Sequence, residues 1–203
     1  MKRDARAFLF DFHHVLSHDH FYESTLLPDH KEVSEWISQT IFGDHELVRD
    51  WMRGKTTWRI LHDRIVGETG MDRLLLDQLF IESVKRMKII DEMIDLAREL
   101  KEKGFKIAIV SDNMDIFSEV TVPYQKFDQL FDEIFNSADH GLLKQDEHGK
   151  LFQYVADILG VPIENTIFID DTKSTTDLFI ELGGQAITHT DPESTRKQLF
   201  LLL

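Results

Sequence analysis

Seven polar residues of this 203-residue chain follow short apolar runs, and their chemical types complement one another. In chain order they are Asp11, Ser111, Asp112, Asn113, Lys144, Asp170 and Asp171. A carboxylate can attack phosphorus, and paired carboxylates can hold Mg²⁺. A hydroxyl group and a lysine can neutralise the charge that develops on phosphate oxygens. These residue types together predict phosphoryl chemistry.

The elements that would position these residues are predicted strands in an α/β arrangement. Short runs rich in aromatic and β-branched residues predict strands at 7–10, 105–110, 133–135, 166–169 and 185–188. Helical patterns alternate with them in the second half of the chain, which predicts a doubly wound, Rossmann-like parallel sheet. Ligands bind such sheets at the carboxyl ends of the strands, so we expect the polar residues to converge on one crevice.

The interval between the first two predicted strands has a different character. Apolar residues recur there at helical spacing, as in Trp58, Leu61 and Ile65, and no convincing strand is present. We therefore predict an all-helical insertion at residues 18–87, with the α/β core formed by residues 1–17 and 88–203.

Composition excludes several classes of function. The chain has 37 acidic and 23 basic residues and a formal net charge of -14, which would repel nucleic acid. It has no cysteine, which removes disulfides, thiolate nucleophiles and cysteine-based zinc sites. Neither a signal-peptide core nor an apolar run of about 18 residues is evident. We expect a cytoplasmic monomer or homodimer with no nucleic-acid or membrane partner.

The polar residues lie in motifs that resemble those of the haloacid dehalogenase superfamily. The motifs are FLFDFHHVL at 8–16, IVSDN at 109–113, GLLK at 141–144 and FIDDTKSTTDL at 168–178. The resemblance covers essentially the whole chain. The separation of 100 residues between Asp11 and Ser111 leaves room for the small helical cap that one large subfamily inserts after its first strand.

The resemblance implies a role for each motif residue in a hydrolase that acts on a small phosphorylated metabolite. Asp11 would be the nucleophile and would form an aspartyl-phosphate. The substrate-binding residues would be Ser111, Asp112, Asn113 and Lys144.

The resemblance also implies Mg²⁺ as the cofactor. Asp11, Asp170 and Asp171 would hold the metal, and the main-chain carbonyl of His13 would complete the site. A main-chain carbonyl is available from any residue type, so metal binding does not depend on the side chain at position 13.

The sequence departs from the family pattern at four positions. Phosphatases of the superfamily carry a second Asp where this chain has His13, and that Asp protonates the leaving alcohol and later deprotonates water. His14 stands where a small Gly is usual, Gln145 where Pro usually follows the lysine, and Thr175 where Asn is common. Imidazole can give and take a proton near neutral pH, so His13 is a candidate general acid and base. A protonated His13 could instead pair with Asp11 and quench the nucleophile.

Three functional hypotheses therefore stay open. The first is a Mg²⁺-dependent phosphatase. The second is a catalytically impaired protein that binds a phosphometabolite. The third is a dehalogenase-like or phosphonatase-like hydrolase. Dehalogenation needs no Mg²⁺, so Asp170 and Asp171 favour phosphorus chemistry. A phosphonatase would need a lysine in the cap, for which the candidates are Lys31, Lys55 and Lys85.

Four histidines lie close together in the sequence after the first predicted strand. They are His13, His14, His18 and His20. Imidazoles suit Zn²⁺, Ni²⁺ and Cu²⁺, but these side chains could equally line the pocket.

Overall fold

The computed structural model of the chain describes residues 7–19 and 29–202. Its strands are β1 (Ala7–Phe10), β2 (Lys106–Ser111), β3 (Glu133–Asn136), β4 (Thr166–Asp170) and β5 (Gln185–Thr188). Its α-helices are α1 (Lys31–Ile37), α2 (His45–Met52), α3 (Trp58–Thr69), α4 (Arg73–Lys85), α5 (Asp91–Glu102), α6 (Val122–Gln125), α7 (Phe127–Leu130), α8 (Ser137–His140), α9 (Lys150–Leu159), α10 (Lys173–Glu181) and α11 (Pro192–Leu202). Short π-helical segments occur at Ser38–Phe42 and Phe117–Thr121, and 3₁₀ turns at Asp146–His148 and Ile163–Asn165. None of the helices within these residues is long and apolar enough to cross a membrane.

The strands form one parallel five-stranded sheet in the order β3-β2-β1-β4-β5, which confirms the predicted α/β fold. The pairing continues one residue beyond the predicted ends of β2 and β4. Ser111 pairs with Asn136, and Asp170 pairs with Thr188. The backbone positions of Ser111 and Asp170 are therefore set by the hydrogen-bonded sheet.

Alternate residues of the central strand pack on opposite faces of the sheet, as the two-residue period of a strand requires. Phe8 and Phe10 belong to a cluster that includes α5 and the helices of residues 31–85. Leu9 belongs to the second cluster, which includes α9 and α10. Both faces are covered by helices, which explains why the strands are continuous apolar runs.

The regular elements that the structure describes between β1 and α5 are all helices. Residues 29–87 contain α1 to α4 and no strand, as the sequence predicts for this part of 18–87, whereas residues 20–28 lie outside the described ranges. Asp44 and Thr57 cap α2 and α3, since their side-chain oxygens accept from Leu47 N and Ile60 N. The division into a core and a cap at 17/18 and 87/88 stays a prediction.

Close contacts attach the segment around α2 and α3 to the loop that follows β2 and to α8, which follows β3. The indole Nε1 of Trp51 donates to Asp115 Oδ1 at 2.6 Å, and Ser137 Oγ donates to the Met52 carbonyl at 2.6 Å. Gly54 has a φ of 67°, and a Cβ at this position would lie 2.2 Å from the Ala138 carbonyl oxygen. These contacts place the helical segment beside the carboxyl edge of the sheet.

Candidate active site

Asp11 lies directly after the central strand β1. Its main-chain N–H donates to the Ile169 carbonyl at 2.9 Å, so the pairing with β4 continues to this residue. The carboxylate is held on both oxygens. Oδ1 accepts from Phe12 N at 2.7 Å, and Oδ2 lies 3.0 Å from Lys144 Nζ. Asp11 is 6% exposed, so its carboxylate is oriented and almost removed from water.

Lys144 reaches the same point from the turn that follows α8. Its Nζ lies 2.5 Å from Asp170 Oδ2, in addition to its contact with Asp11. The main-chain N–H of Lys144 donates to Asp112 Oδ1 at 2.7 Å. One buried ammonium group therefore joins carboxylates from two neighbouring strands.

Three carboxylates lie close enough together to hold a cation. Oxygens of Asp11, Asp170 and Asp171 all lie within 4.8 Å of one another. Asp170 is held by Thr172, whose main-chain N–H donates to Asp170 Oδ1 at 2.7 Å. Carboxylate oxygens are the ligands that hard divalent cations such as Mg²⁺ prefer, so this donor set fits such an ion.

Two opposed effects set the pKa values in the site: burial of the charged groups, and the attraction between Lys144 and the carboxylates. Burial and the charge of Asp11 raise the pKa of Asp170 to about 6, against the effect of Lys144. Burial also raises the pKa of Asp11, which Lys144 opposes. Burial alone would lower the pKa of Lys144, but the carboxylates of Asp11, Asp170 and Asp112 outweigh it and raise the pKa. Lys144 therefore stays charged, and one ammonium group faces several carboxylates.

Ser111, the last residue of β2, is fully buried beside Asp11. Its hydroxyl is near enough to help lower the pKa of Asp11, yet it makes no hydrogen bond of good geometry to any described residue. A buried hydroxyl left without a partner costs about 1–3 kcal/mol. Ser111 Oγ can therefore donate to a ligand atom placed next to Asp11.

Asp112 and Asn113 shape the loop after β2. Asp112 accepts from the main chain of Lys144, as described above. The main-chain N–H of Asn113 donates to Ser137 Oγ at 3.0 Å, and its side-chain Oδ1 accepts from Met114 N at 2.9 Å. These hydrogen bonds join the loop after β2 to its neighbours at the carboxyl edge of the sheet. Their predicted role in substrate binding stays a prediction.

His13 and His14 follow the candidate nucleophile, and their rings are in contact at an interplanar angle of 53°. The ring centroids are 3.9 Å apart, and His13 is the more buried of the two. His14 has a φ of 57°, in the left-handed region where Gly is unstrained. A residue with a Cβ in this conformation costs about 1–2 kcal/mol of stability relative to Gly. The backbone therefore keeps the conformation that suits Gly, although the residue is His.

Of the four neighbouring histidines, the three within the described residues, His13, His14 and His18, do not complete a metal site. The rings of His14 and His18 are 6.4 Å apart, and His20 lies outside the described residues. Within 7–19 and 29–202, only the carboxylates of Asp11, Asp170 and Asp171 bring three ligand atoms within 4.8 Å of one another. The structure therefore lends no support to a transition-metal site at the histidines.

Two departures from the family pattern contact each other. Gln145 Nε2 donates to Thr175 Oγ1 at 3.0 Å and to Ser174 Oγ at 3.1 Å. The contact ties the turn that carries Lys144 to α10, the helix that begins after Asp171. No sequence pattern indicated that these two positions meet.

A cavity of about 440 Å³ lies beside His13. Its polar lining residues are His13, Asp19, Asp112 and Asn113. Its apolar lining residues are Phe12, Phe42, Val48, Met52, Met87 and Met114. Sequence reasoning missed the apolar group, because these residues have the spacing of ordinary core positions.

The three lysines considered for phosphonatase chemistry lie away from this cavity, since none of them lines it. Lys55 Nζ pairs with Asp50 at 2.7 Å, and Lys85 Nζ lies 3.4 Å from Glu82. Lys31 is exposed on α1. Their placement does not favour a lysine-based reaction.

Comparison with known proteins gives a family match and distant relatives. Residues 5–174 match the family model described as haloacid dehalogenase-like hydrolase. The chain is 25% identical over 165 residues to bifunctional epoxide hydrolase 2 of Rattus norvegicus, covering 73% of this chain and 29% of that protein. It is 25% identical over 202 residues to phosphoserine phosphatase of Archaeoglobus fulgidus, covering 94% of this chain and 54% of that protein. The chain thus spans about half or less of each relative.

Solved structures share the fold. A haloacid dehalogenase family enzyme from Bacteroides thetaiotaomicron has a TM-score of 0.74 at 20% identity, covering 97% of this chain and 98% of that one. The same enzyme is also known in complex with magnesium and inorganic phosphate, with a TM-score of 0.68 at 19% identity over 92% of this chain and 94% of that one. A dehalogenase structure has a TM-score of 0.65 at 20% identity over 98% and 97% of the two chains.

Proposed function

Because the chain belongs to the haloacid dehalogenase-like hydrolase family, we propose that it is a Mg²⁺-dependent phosphatase that acts on a small phosphomonoester. One observation carries the proposal: the buried Asp11 carboxylate lies 3.0 Å from Lys144 Nζ and within 4.8 Å of the carboxylate oxygens of Asp170 and Asp171. This arrangement combines a nucleophile, a fixed cation and a set of metal ligands.

The first half of the reaction forms a covalent intermediate. An oxygen of Asp11 attacks phosphorus, the bond from phosphorus to the leaving oxygen breaks, and an aspartyl-phosphate forms. Lys144 Nζ and the hydroxyl of Ser111 donate to phosphoryl oxygens and offset their charge. Ser111 suits this role because its buried hydroxyl makes no well-formed hydrogen bond within the described part of the chain.

The second half regenerates the enzyme. Water attacks phosphorus, the bond from phosphorus to the Asp11 oxygen breaks, and phosphate leaves. His13 gives a proton to the leaving oxygen in the first half and takes one from water in the second. Imidazole suits both transfers, because its ordinary pKa lies near neutral pH.

The metal would be held by Asp11, Asp170, Asp171 and the main-chain carbonyl of His13. When bound, Mg²⁺ supplies positive charge against the phosphoryl oxygens and the nucleophile, and so reduces their repulsion. Support comes from the carboxylate group and from the magnesium complex of the Bacteroides thetaiotaomicron enzyme. We further propose that residues 18–87 act as a helical cap beside this site.

The test is phosphate release from a panel of small phosphomonoesters with and without Mg²⁺, between about pH 5 and 8. We expect Asp11→Asn to abolish release. The matched control is Asp44→Asn, which should keep full activity because Asp44 caps α2 and Asn is an equally good cap.

The other hypotheses predict different outcomes. A binding protein without turnover would bind phosphate with Mg²⁺ in calorimetry and release none from any ester. A dehalogenase would release halide without metal. Release that is equal in the native protein and Asp11→Asn would contradict the proposed nucleophile.

A further inference from the structure

The cavity beside His13 is placed to receive the part of the substrate that leaves. Three residues that line the cavity are neighbours of catalytic residues in the chain. Phe12 and His13 come directly after the nucleophile Asp11, and Asp112 comes directly after Ser111. A phosphoryl group held at Asp11 and Lys144 would therefore direct its ester oxygen and leaving group toward this space. This step rests on the proposed function.

The walls of the cavity are mainly apolar. The helical segment contributes Val48 and Met52, and the loops contribute Phe12, Met87 and Met114. Methionine side chains are flexible and polarisable, so they adapt to apolar ligands of irregular shape. The volume of about 440 Å³ lies within the range of small-molecule sites, which is about 300–1,000 Å³.

Apart from the imidazole of His13, the ionisable side chains of the lining are acidic. Asp19 and Asp112 line the cavity, whereas no lysine or arginine does so among the described residues. Both carboxylates accept from main-chain N–H groups, Asp19 from Lys88 N at 2.6 Å and Asp112 from Lys144 N at 2.7 Å. These neutral donors bring no countercharge, and the charges of Lys144 and Arg53 act on Asp112 from outside the lining. A second anionic group on the substrate would be repelled, chiefly by Asp19.

The cations near the site are held by other carboxylates. Lys144 Nζ contacts Asp11 and Asp170. Arg53, next to Met52, donates twice to Asp146 at 2.7 Å, through Nε and a terminal nitrogen. Residues 20–28, outside the described ranges, contain neither lysine nor arginine in their sequence.

We infer that the substrate is a monophosphate ester of an apolar alcohol or phenol that carries no second anionic group. The discrimination is mostly negative, because a carboxylate or second phosphate would meet the carboxylates of Asp19 and Asp112, and the proton of His13 goes to the ester oxygen. The inference predicts poor turnover of esters whose leaving group carries a carboxylate and no cationic group.

The first test compares two esters of nearly equal size, 4-methylphenyl phosphate and 4-carboxyphenyl phosphate, with the native protein and Mg²⁺. We expect kcat/KM to be at least about tenfold higher for the methyl compound. Equal or higher kcat/KM for the carboxylated ester would overturn the inference and leave the phosphatase proposal intact.

A second measurement needs no turnover. Binding of the products 4-methylphenol and 4-hydroxybenzoate is followed by NMR titration of the native protein with Mg²⁺ and phosphate present. We expect a dissociation constant at least about tenfold lower for 4-methylphenol. Tighter binding of 4-hydroxybenzoate, or binding of neither, would overturn the inference even if no ester is hydrolysed.

A variant tests whether the missing cation decides the preference. Val48→Lys introduces an ammonium group at the cavity wall and should raise kcat/KM for the carboxylated ester relative to the methyl ester at least about tenfold. The matched control is Val66→Lys, at a half-buried position of α3 that does not line the cavity. If Val48→Lys folds and the ratio of kcat/KM for the two esters is unchanged, the inference is contradicted. The two comparisons made with the native protein do not depend on whether this variant folds.

Discussion

Lys144 Nζ lies 2.5 Å from Oδ2 of Asp170, at the end of β4, and 3.0 Å from Oδ2 of Asp11, after β1. Because β1 and β4 are neighbours in the sheet, this single ammonium group holds together the candidate nucleophile and a candidate metal ligand. One positive charge does not balance both carboxylates together with Asp171. A bound divalent cation would supply the positive charge that is missing. We therefore expect the protonation of these carboxylates and the binding of metal to depend on each other.

Binding of Mg²⁺ is expected to release protons near pH 6. Burial and the charge of Asp11 raise the pKa of Asp170 to about 6, so this carboxyl is partly protonated at pH 6 without metal. Mg²⁺ needs the ionised form, so binding should release more protons at pH 6 than at pH 8. The affinity should accordingly weaken as the pH falls through 6.

Calorimetry in buffers with different enthalpies of ionisation counts these protons. Asp170→Asn should lose the proton release from this position, whereas the surface variant Asp44→Asn should keep it. An equal release at pH 6 and pH 8 in the native protein would show that Asp170 does not titrate in this range.

His13→Gln is expected to lower kcat/KM for phosphate release about 10²–10⁴-fold, because glutamine cannot transfer protons as imidazole does. His14→Gln provides the matched control, since it changes the neighbouring ring that contacts His13 and should alter kcat/KM by only a few-fold. Steady-state kinetics at saturating Mg²⁺ over about pH 5 to 8 should show a limb of the pH profile in the native protein that His13→Gln loses.

His13→Asp tests the same assignment from the other direction. A carboxyl group ordinarily has a pKa near 4, so the limb should move to lower pH if residue 13 transfers the proton. If His13→Gln keeps native kcat/KM and its pH profile, the proton comes from another group.

Gly54→Ala is expected to destabilise the protein more than Gly70→Ala. Both glycines have a positive φ, 67° and 71°, so either substitution incurs left-handed strain of about 1–2 kcal/mol. A Cβ at Gly70 would meet nothing within 4 Å, whereas one at Gly54 would lie 2.2 Å from the Ala138 carbonyl oxygen. We expect Gly54→Ala to lose at least about 2 kcal/mol more of the free energy of unfolding.

Urea denaturation followed by circular dichroism measures both losses. The difference between the two variants isolates the close contact between Gly54 and Ala138 of α8, since the φ values are matched. If both variants lost the same free energy of unfolding, the backbones at Gly54 and Ala138 would be able to move apart at little cost.

Local pattern in the sequence was sufficient to predict the elements that build the site. The apolar runs predict the five strands, with β1 and β5 correct to the residue, because a buried parallel strand needs a continuous short run of apolar side chains. The position of Asp11 after β1 follows from the same pattern. Ser111 and Asp170 proved to be the last residues of β2 and β4, since backbone pairing with a neighbouring strand extends beyond the apolar run.

Contacts between distant segments could not be predicted in this way. Nothing in the sequence indicated that Gln145 would donate to Thr175, or that His14 would adopt the left-handed backbone that suits Gly. Met52 and Met114 have the spacing of core residues, and only the placement of α2 beside the loop after β2 leaves them on a cavity wall.

The sequence by itself determined the kinds of chemical group, the strands that carry them and the edge of the sheet where they collect. The tertiary structure alone decided that Lys144 joins Asp11 to Asp170, and that the neighbouring cavity is apolar with an acidic rim. The physical reason is the distance along the chain over which each signal acts. Periodicity within one element shows which of its sides is buried, whereas a contact between two elements depends on which elements the fold brings together.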